Sequence, residues 1–257
     1  MSMINELEAV YIIWLREMKK FVRARSRIIG NLAMPFFFLA FLGIGFSSTA
    51  SFNLGFQGIS YLDFLAPGII AMTLLFSSMF AGISVLWDRE FGFLKEILVA
   101  PISRVSIVSG KVLSGMTTGL IQAILILGIS VLLGVKILSI TGVLISVIYI
   151  LLISMAFVSL GIAFASKMKD MQGFQIIMNF LIMPLWLLSG AFFPLTGVPE
   201  WLSVIAHLDP LTYGVDGLRG SLIGVSQMPW FVNIGILLAF STAMILLAAY
   251  LFKKTEV

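Results

Sequence analysis

Long apolar runs alternate with short charged connections along the whole of this 257-residue chain. Runs of roughly 20 residues, enough to cross a hydrocarbon layer as a helix, recur near Ile28–Ser47, Phe64–Leu86, Ser106–Leu133, Thr141–Ala165, Phe174–Phe193 and Phe231–Phe252. Lipid offers the backbone no water, so each run must satisfy its own hydrogen bonds, and the pattern predicts six transmembrane helices. Composition agrees: 60% of residues are hydrophobic, 11% are charged and the mean hydropathy is +1.11, outside the range of soluble domains. The expected fold class is an all-α membrane protein.

The charges sort the connections into two sets. Arg16, Lys19, Lys20, Arg23, Arg25 and Arg27 precede the first run, and Arg89, Lys95, Arg104 and Lys111 lie between the second and third. Lys167 and Lys169 follow the fourth run, and Lys253 and Lys254 close the chain. Of the 16 Lys and Arg residues, only Lys136 and Arg219 fall on the other set. Basic residues are poorly translocated, so the richer set is expected in the cytoplasm. Both termini then lie inside, and a multi-pass protein of the cell inner (cytoplasmic) membrane is expected. Glu6 and Glu8 precede any apolar run, and the first run is too long for a cleavable signal. No Cys is present, which removes disulfides and thiolate metal sites.

Three segments are not spans. Residues 4–27 read as an amphipathic interfacial helix, with Leu7, Tyr11, Trp14, Leu15, Met18 and Val22 on one face. Arg16, Lys19, Lys20, Arg23 and Arg27 fall on the other, toward phosphate or a cytosolic partner. The connection Trp87–Arg104 interleaves charges of both signs with apolar residues. Gly92 can end a short helix there, Pro101 blocks its continuation and Ser103 can cap the third span. Such a connection suits a contact with a soluble partner, a solvated loop being the plainer reading. The segment Pro194–Trp230 is too apolar for an ordinary loop, so a re-entrant or interfacial helix is expected near 194–208. Asp216 and Arg219 stand at i, i+3 as a local ion pair.

Four stretches, in order, resemble the membrane subunits of the type 2 ABC exporter family, most of all the daunorubicin-exporter and nodulation-factor-exporter permeases. They are Tyr61-Leu-Asp-Phe-Leu-Ala-Pro-Gly68; Arg89-Glu-Phe-Gly with Leu98-Val-Ala-Pro-Ile-Ser-Arg104 and Gly110-Lys111; Leu188-Ser-Gly-Ala-Phe-Phe-Pro194; and Asp209-Pro-Leu-Thr-Tyr-Gly-Val-Asp-Gly-Leu-Arg-Gly220. The resemblance implies six-span subunits paired as a homodimer or heterodimer, each served by an ABC ATP-binding subunit that holds the ATP and magnesium. It divides the chain into a cytoplasmic amphipathic helix, 1–27, and a six-span permease domain, 28–257. It implies a coupling helix within 87–101, with Arg89, Glu90, Phe91, Gly92, Phe93, Lys95 and Glu96 against the ATPase. Family members often carry a second acidic residue and a Gly-Thr pair where this chain has Phe91-Gly92-Phe93. Outer re-entrant helices would hold Phe193, Pro194, Trp201, Pro210, Tyr213 and Arg219 at a gate.

The chain has no phosphate-binding loop: Gly110-Lys111 is followed by Val112 and opens a span. ATP chemistry is therefore expected on another chain, with no cofactor bound by this one. His207, the one histidine, reads as structural, and neither a catalytic set nor a metal site is expected. Span interiors lack charged residues, which disfavours ion-coupled carriers. Membrane lipids are expected partners and nucleic acid is not. The leading function is the permease subunit of an ATP-driven exporter of an amphipathic, lipid-like, drug-like or glycan-linked substrate. The alternatives are an ATPase-linked sensor or assembly scaffold and, less in keeping with the charge pattern, a channel or secondary carrier. The 22 Phe and 14 Met residues read first as lipid-facing or packing surface.

Overall fold

A computed structural model describes residues 3–47, 58–92, 102–168 and 170–254, and all regular structure among them is helical. Helix α1 (Met3–Arg23) breaks at Ala24, and the chain bends by 67° into α2 (Arg25–Phe37). Pro35 removes a backbone donor inside α2, and the helix widens into a π-helical stretch, Phe38–Ile44, before a last turn, Gly45–Ser47. The long helices are α3 (Tyr61–Glu90), α4 (Arg104–Leu132), α5 (Ile140–Lys167), α6 (Met171–Leu188, with a π-helical stretch at Met178–Ile182) and the last span, Trp230–Lys253. Each is long and apolar enough to cross a membrane, and the bent α1–α2 pair makes a sixth candidate. Between α6 and the last span stand α7 (Glu200–Leu208) and α8 (Pro210–Ile223); the last span is α9.

Helix α3 is the hub. A capping box starts it: Asp63 N–H donates to Ser60 Oγ while Ser60 N–H donates to Asp63, which satisfies two orphan donors at once. Nearly every side chain from Tyr61 to Ser78 is buried. Gly82 meets Gly161 of α5 backbone to backbone, so that α3 has no room for a side chain at the crossing and α5 has little. Small residues permit this close approach, which dispersion rewards in a solvent as apolar as lipid. Small residues of α4 do the same against α5: Gly115 packs on Val158 and Gly119 on Ser154. Helix α6 buries only Phe174, Met178, Ile182 and Trp186.

Four boundaries differ from the sequence reading, the first at the fifth span, which ends at Leu188 and leaves residues 189–193 in turns and bends. The amphipathic helix stops at Arg23, which gives Arg25 and Arg27 to α2. The second span does not end at Leu86, because its hydrogen bonds continue through Trp87–Glu90. Residues 194–199 are turns, and two helices follow, the second of them, α8, mostly buried against the bundle.

Candidate functional site

Two polar knots stand at opposite ends of the bundle. At the end where α1 begins and α9 finishes, α1, α3 and α4 meet around five charged side chains among the described residues. Asp88, in the last turn of α3, is 4% exposed, and Lys111, about two turns into α4, is 2% exposed. Lys111 Nζ donates to Asp88 Oδ2 at 2.6 Å and to Ser84 Oγ at 3.0 Å. The other Asp88 oxygen accepts from Arg16 Nη2 at 2.5 Å and from Lys20 Nζ at 3.3 Å, both on α1. Glu17 completes the cluster, 3.1 Å from Arg16, 3.4 Å from Lys20 and 3.7 Å from Lys111. Among the described residues, three cations share two carboxylates. Stripping a buried charge of its partner costs about 3–5 kcal/mol, so these groups hold one another in place.

A second clasp binds α1 to the start of α4. Glu6 accepts from Ser103 N–H at 3.2 Å and from the Ser106 hydroxyl, while Ser103 Oγ caps α4 by accepting from Ser106 N–H. These hydroxyls hold the Glu6 carboxyl below the usual carboxylate range. Ile13 lies on Gly110, where a side chain would strike it, and Trp14 Nε1 donates to Thr117 Oγ1 at 3.0 Å. Arg16 and Lys20 therefore turn inward to Asp88, away from the headgroup-facing role expected of them. Lys19 and Arg23 remain exposed, as do the apolar Leu7, Tyr11 and Val22.

Just beyond this knot α3 ends. Arg89 leans onto the last turn of α5, donating to the Met168 carbonyl at 2.7 Å and the Ser166 carbonyl at 3.4 Å, groups that a helix end leaves without partners. Glu90 is exposed, Phe91 is 82% exposed, and Gly92 redirects the chain at φ +73°, a conformation that side chains disfavour. Arg16, Lys20, Trp87, Asp88 and Phe91 line a surface hollow of about 420 Å³. Phe93, Lys95, Glu96 and Pro101 lie outside the described residues.

The far-end knot is built from backbone and rings. Arg219 of α8 is buried, donates to the Gly190 carbonyl at 2.9 Å and stacks 3.8 Å above the Phe64 ring. Tyr61 Oη donates to the Phe192 carbonyl at 3.2 Å, and a Cβ on Gly68 would stand 2.6 Å from the Ala191 oxygen. Trp186 stacks edge-on with Phe192 at 4.5 Å and with Phe38 at 5.3 Å. Three stretches far apart in sequence, 61–68, 188–194 and 209–220, thus meet in one place. The expected Asp216–Arg219 pair does not close into a direct ion pair, although both side chains line one small hollow and the Asp216 charge acts on Arg219. Asp216 instead accepts from Ser226 Oγ, the Gln227 and Met228 N–H groups and Asn233 Nδ2, fixing the turn before α9.

Of the remaining expected residues, Tyr213 Oη donates to the His207 carbonyl at 2.9 Å, tying α8 to α7. Pro210 opens α8 behind Asp209, whose side chain caps that helix through Leu211 N–H. Trp201 is exposed on α7, and Phe193 and Pro194 are half-buried in the turns before it. His207 bonds within its own helix, through Nδ1 to the Ser203 carbonyl. Among the described residues, no group of three or more His, Asp or Glu could hold a metal ion.

Residues 8–223 match the family model for the ABC-2 type transporter. The transport permease ycf38 of Porphyra purpurea is 32% identical over 77% of this chain and 68% of its own length. The inner membrane transport permease YadH of Escherichia coli (strain K12) is 28% identical over 96% of this chain and 95% of its own. Nodulation protein J of Rhizobium leguminosarum bv. viciae is 26% identical over 94% and 93%.

Proposed function

This chain belongs to the ABC-2 type transporter family, as a multi-span permease and not an ATPase, and from that premise we propose that it forms the force-receiving half of an ATP-driven exporter. A separate ABC ATP-binding subunit holds the ATP and magnesium and docks on the tip of α3. The permease works as a homodimer or heterodimer in the inner membrane with both termini cytoplasmic, a placement that the segregation of Lys and Arg supports. Residues 1–27 serve as the cytoplasmic amphipathic unit and 28–257 as the permease unit. The observation that carries the reading is the exposed Glu90-Phe91-Gly92 tip, set directly on the charge knot that joins α1, α3 and α4.

In this reading Glu90, Phe91 and Gly92, with Phe93, Lys95 and Glu96 beyond them, form the coupling surface. Arg89 acts one step behind it, carrying the push to α5 through the Met168 carbonyl. When the ATPases close, the tip moves as a rigid body and takes α1, α3 and α4 with it. At the other end Phe193, Pro194, Trp201, Pro210, Tyr213 and Arg219 frame the exit. A ligand drives such a change only by contacting its two states differently, so ATP must alter the fit at this tip.

The test is Glu90→Lys combined with Gly92→Pro, in permease co-reconstituted with its ATPase. The expected result is a stably inserted protein that neither stimulates ATP hydrolysis nor moves cargo. Normal hydrolysis and transport would end the coupling assignment.

A further inference from the structure

We infer that the crevice between α2, α3 and α4 binds an amphiphile with an anionic, hydroxyl-bearing head. Two adjoining hollows, of about 220 and 200 Å³, share Asn31, Ser77, Phe80 and Gln122 among their lining residues. Together they reach the lower end of ligand pockets, roughly 300–1,000 Å³, enough for a headgroup and too little for a whole lipid. The crevice starts at Glu17 and Lys20 of the charge knot. It runs roughly 12 Å along α4 from Ser114 to Gln122, at about 1.5 Å per residue.

Gln122 carries the inference. It is 2% exposed, and its Oε1 has no hydrogen-bond partner. A buried amide oxygen without a donor is costly, and ionisable or strongly polar groups at this depth are kept for function. The other polar groups of the crevice need acceptance from outside less. Thr73, Ser77, Ser114 and Thr118 each donate their hydroxyl back to a carbonyl of their own helix, leaving oxygen lone pairs free to accept. The wall thus offers a row of acceptors, with the amide donors of Asn31 and Gln122 beside it, which calls for a ligand rich in hydroxyl groups. At the mouth, Lys20 lines the crevice half-exposed, so its ammonium stands ready for an anionic group. An anionic group at Lys20, hydroxyls along the row toward Gln122 and a tail leaving past Met34 and Phe76 into lipid satisfy all three demands.

The occupant is either a resident bilayer lipid or cargo on its way out; the second identification rests on the transport reading above, while the binding itself does not. The chain has no cysteine, so single cysteines report access cleanly. Ser77→Cys and Thr118→Cys place a thiol in the crevice, and Ile124→Cys places one on an exposed position of α4. The full chain is reconstituted in phosphatidylcholine vesicles with or without about one fifth phosphatidylglycerol. The anionic lipid is expected to slow thiol labelling roughly fivefold at both crevice positions, the effect of about 80% occupancy, and to leave Ile124→Cys unchanged. Adding Gln122→Leu restores fast labelling. Equal rates in the two vesicles, or equal slowing at Ile124→Cys, would overturn the site. Relief of protection during ATP turnover by the partner ATPase identifies cargo, and unchanged protection identifies a resident lipid. Failure of ATPase stimulation would count against the transport reading alone, since the labelling needs no ATPase.

Discussion

The two polar knots hold one bundle by opposite means. At the terminal end the links are charged side chains on long stems: Arg16, Lys20 and Lys111 share Asp88 and Glu17. At the far end they are main-chain carbonyls, rings and missing side chains: Gly190 and Phe192 accept, Phe64 stacks, and Gly68 leaves room for Ala191. Ion pairs between flexible stems exchange partners, because three donors compete for each carboxylate without any backbone shift. A glycine pressed on a neighbouring backbone has one geometry or none, since close-packed interiors do not deform continuously. The first kind of knot suits a joint beside an exposed tip, the second a fixed frame.

The comparison breaks hardest at Asp88. Asp88→Asn leaves the buried Lys111 ammonium facing a neutral amide and Ser84, with its nearest negative charge on the more distant Glu17, and the expected loss is about 3–5 kcal/mol. Thermal unfolding of the purified protein in detergent, followed by Trp fluorescence, reads it. The double variant Asp88→Asn with Lys111→Met is expected to regain most of the loss, because the stranded charge goes with its partner. A double variant as unstable as the single one would show that Asp88 matters for Arg16 and Lys20 and not for Lys111.

At the far end the matching change is steric. Gly68→Val places a branched side chain where a Cβ alone would stand 2.6 Å from the Ala191 oxygen, and overpacking of this kind costs typically about 1–3 kcal/mol. The melting point should fall by less than in Asp88→Asn and, unlike it, should not respond to salt. A salt-dependent loss at Gly68→Val would mean that the two ends do not differ in kind.

Much of this was legible before any fold. The six apolar runs fall on the helices because the bilayer allows an isolated backbone no other regular form. Their ends were harder, since helical hydrogen bonding does not stop where apolarity stops. The run ends at Leu86, yet the α3 helix continues to Glu90, and those last four residues carry Asp88 into the bundle. Asp88 and Lys111 looked like separate charges of one connection. Only the antiparallel pairing of α3 with α4 makes them partners, and opposite charges just inside the facing ends of neighbouring spans were the available signal. Helix α8 was foreseen only loosely, as part of the outer re-entrant helices, since Gly214, Gly217 and Gly220 weaken its local pattern. In the fold Gly214 and Gly217 admit Ile153 and Tyr149 of α5. Its true signature was Asp209-Pro210 at the start and Gly224 past the end, an N-cap, a first-turn proline and a left-handed stop. Arg219 was assigned to Asp216 by spacing, but the Phe64 ring and the Gly190 carbonyl hold it, a tertiary outcome that no local pattern contains.

The smallest expected effect sharpens the comparison most finely, because it asks whether the frame carries any charge that proton concentration can move. Asp209 caps α8 by accepting from Leu211 N–H through one oxygen, while its other oxygen is buried without a partner. Burial pushes its carboxyl up to about 7, against the opposing pull of the Leu211 hydrogen bond. A folded-state pKa above the unfolded one gives stability that is complete below the ordinary carboxylate range and is lost as pH rises through about 7. The protein should therefore melt at a lower temperature at pH 8 than at pH 5. Asp209→Asn keeps an oxygen for the cap and removes the proton, so it should hold its melting point across that interval, near the value of the parent at pH 5. A variant that loses stability equally at both pH values would show that the carboxyl is charged in place, leaving the far end a frame that depends on an ion after all.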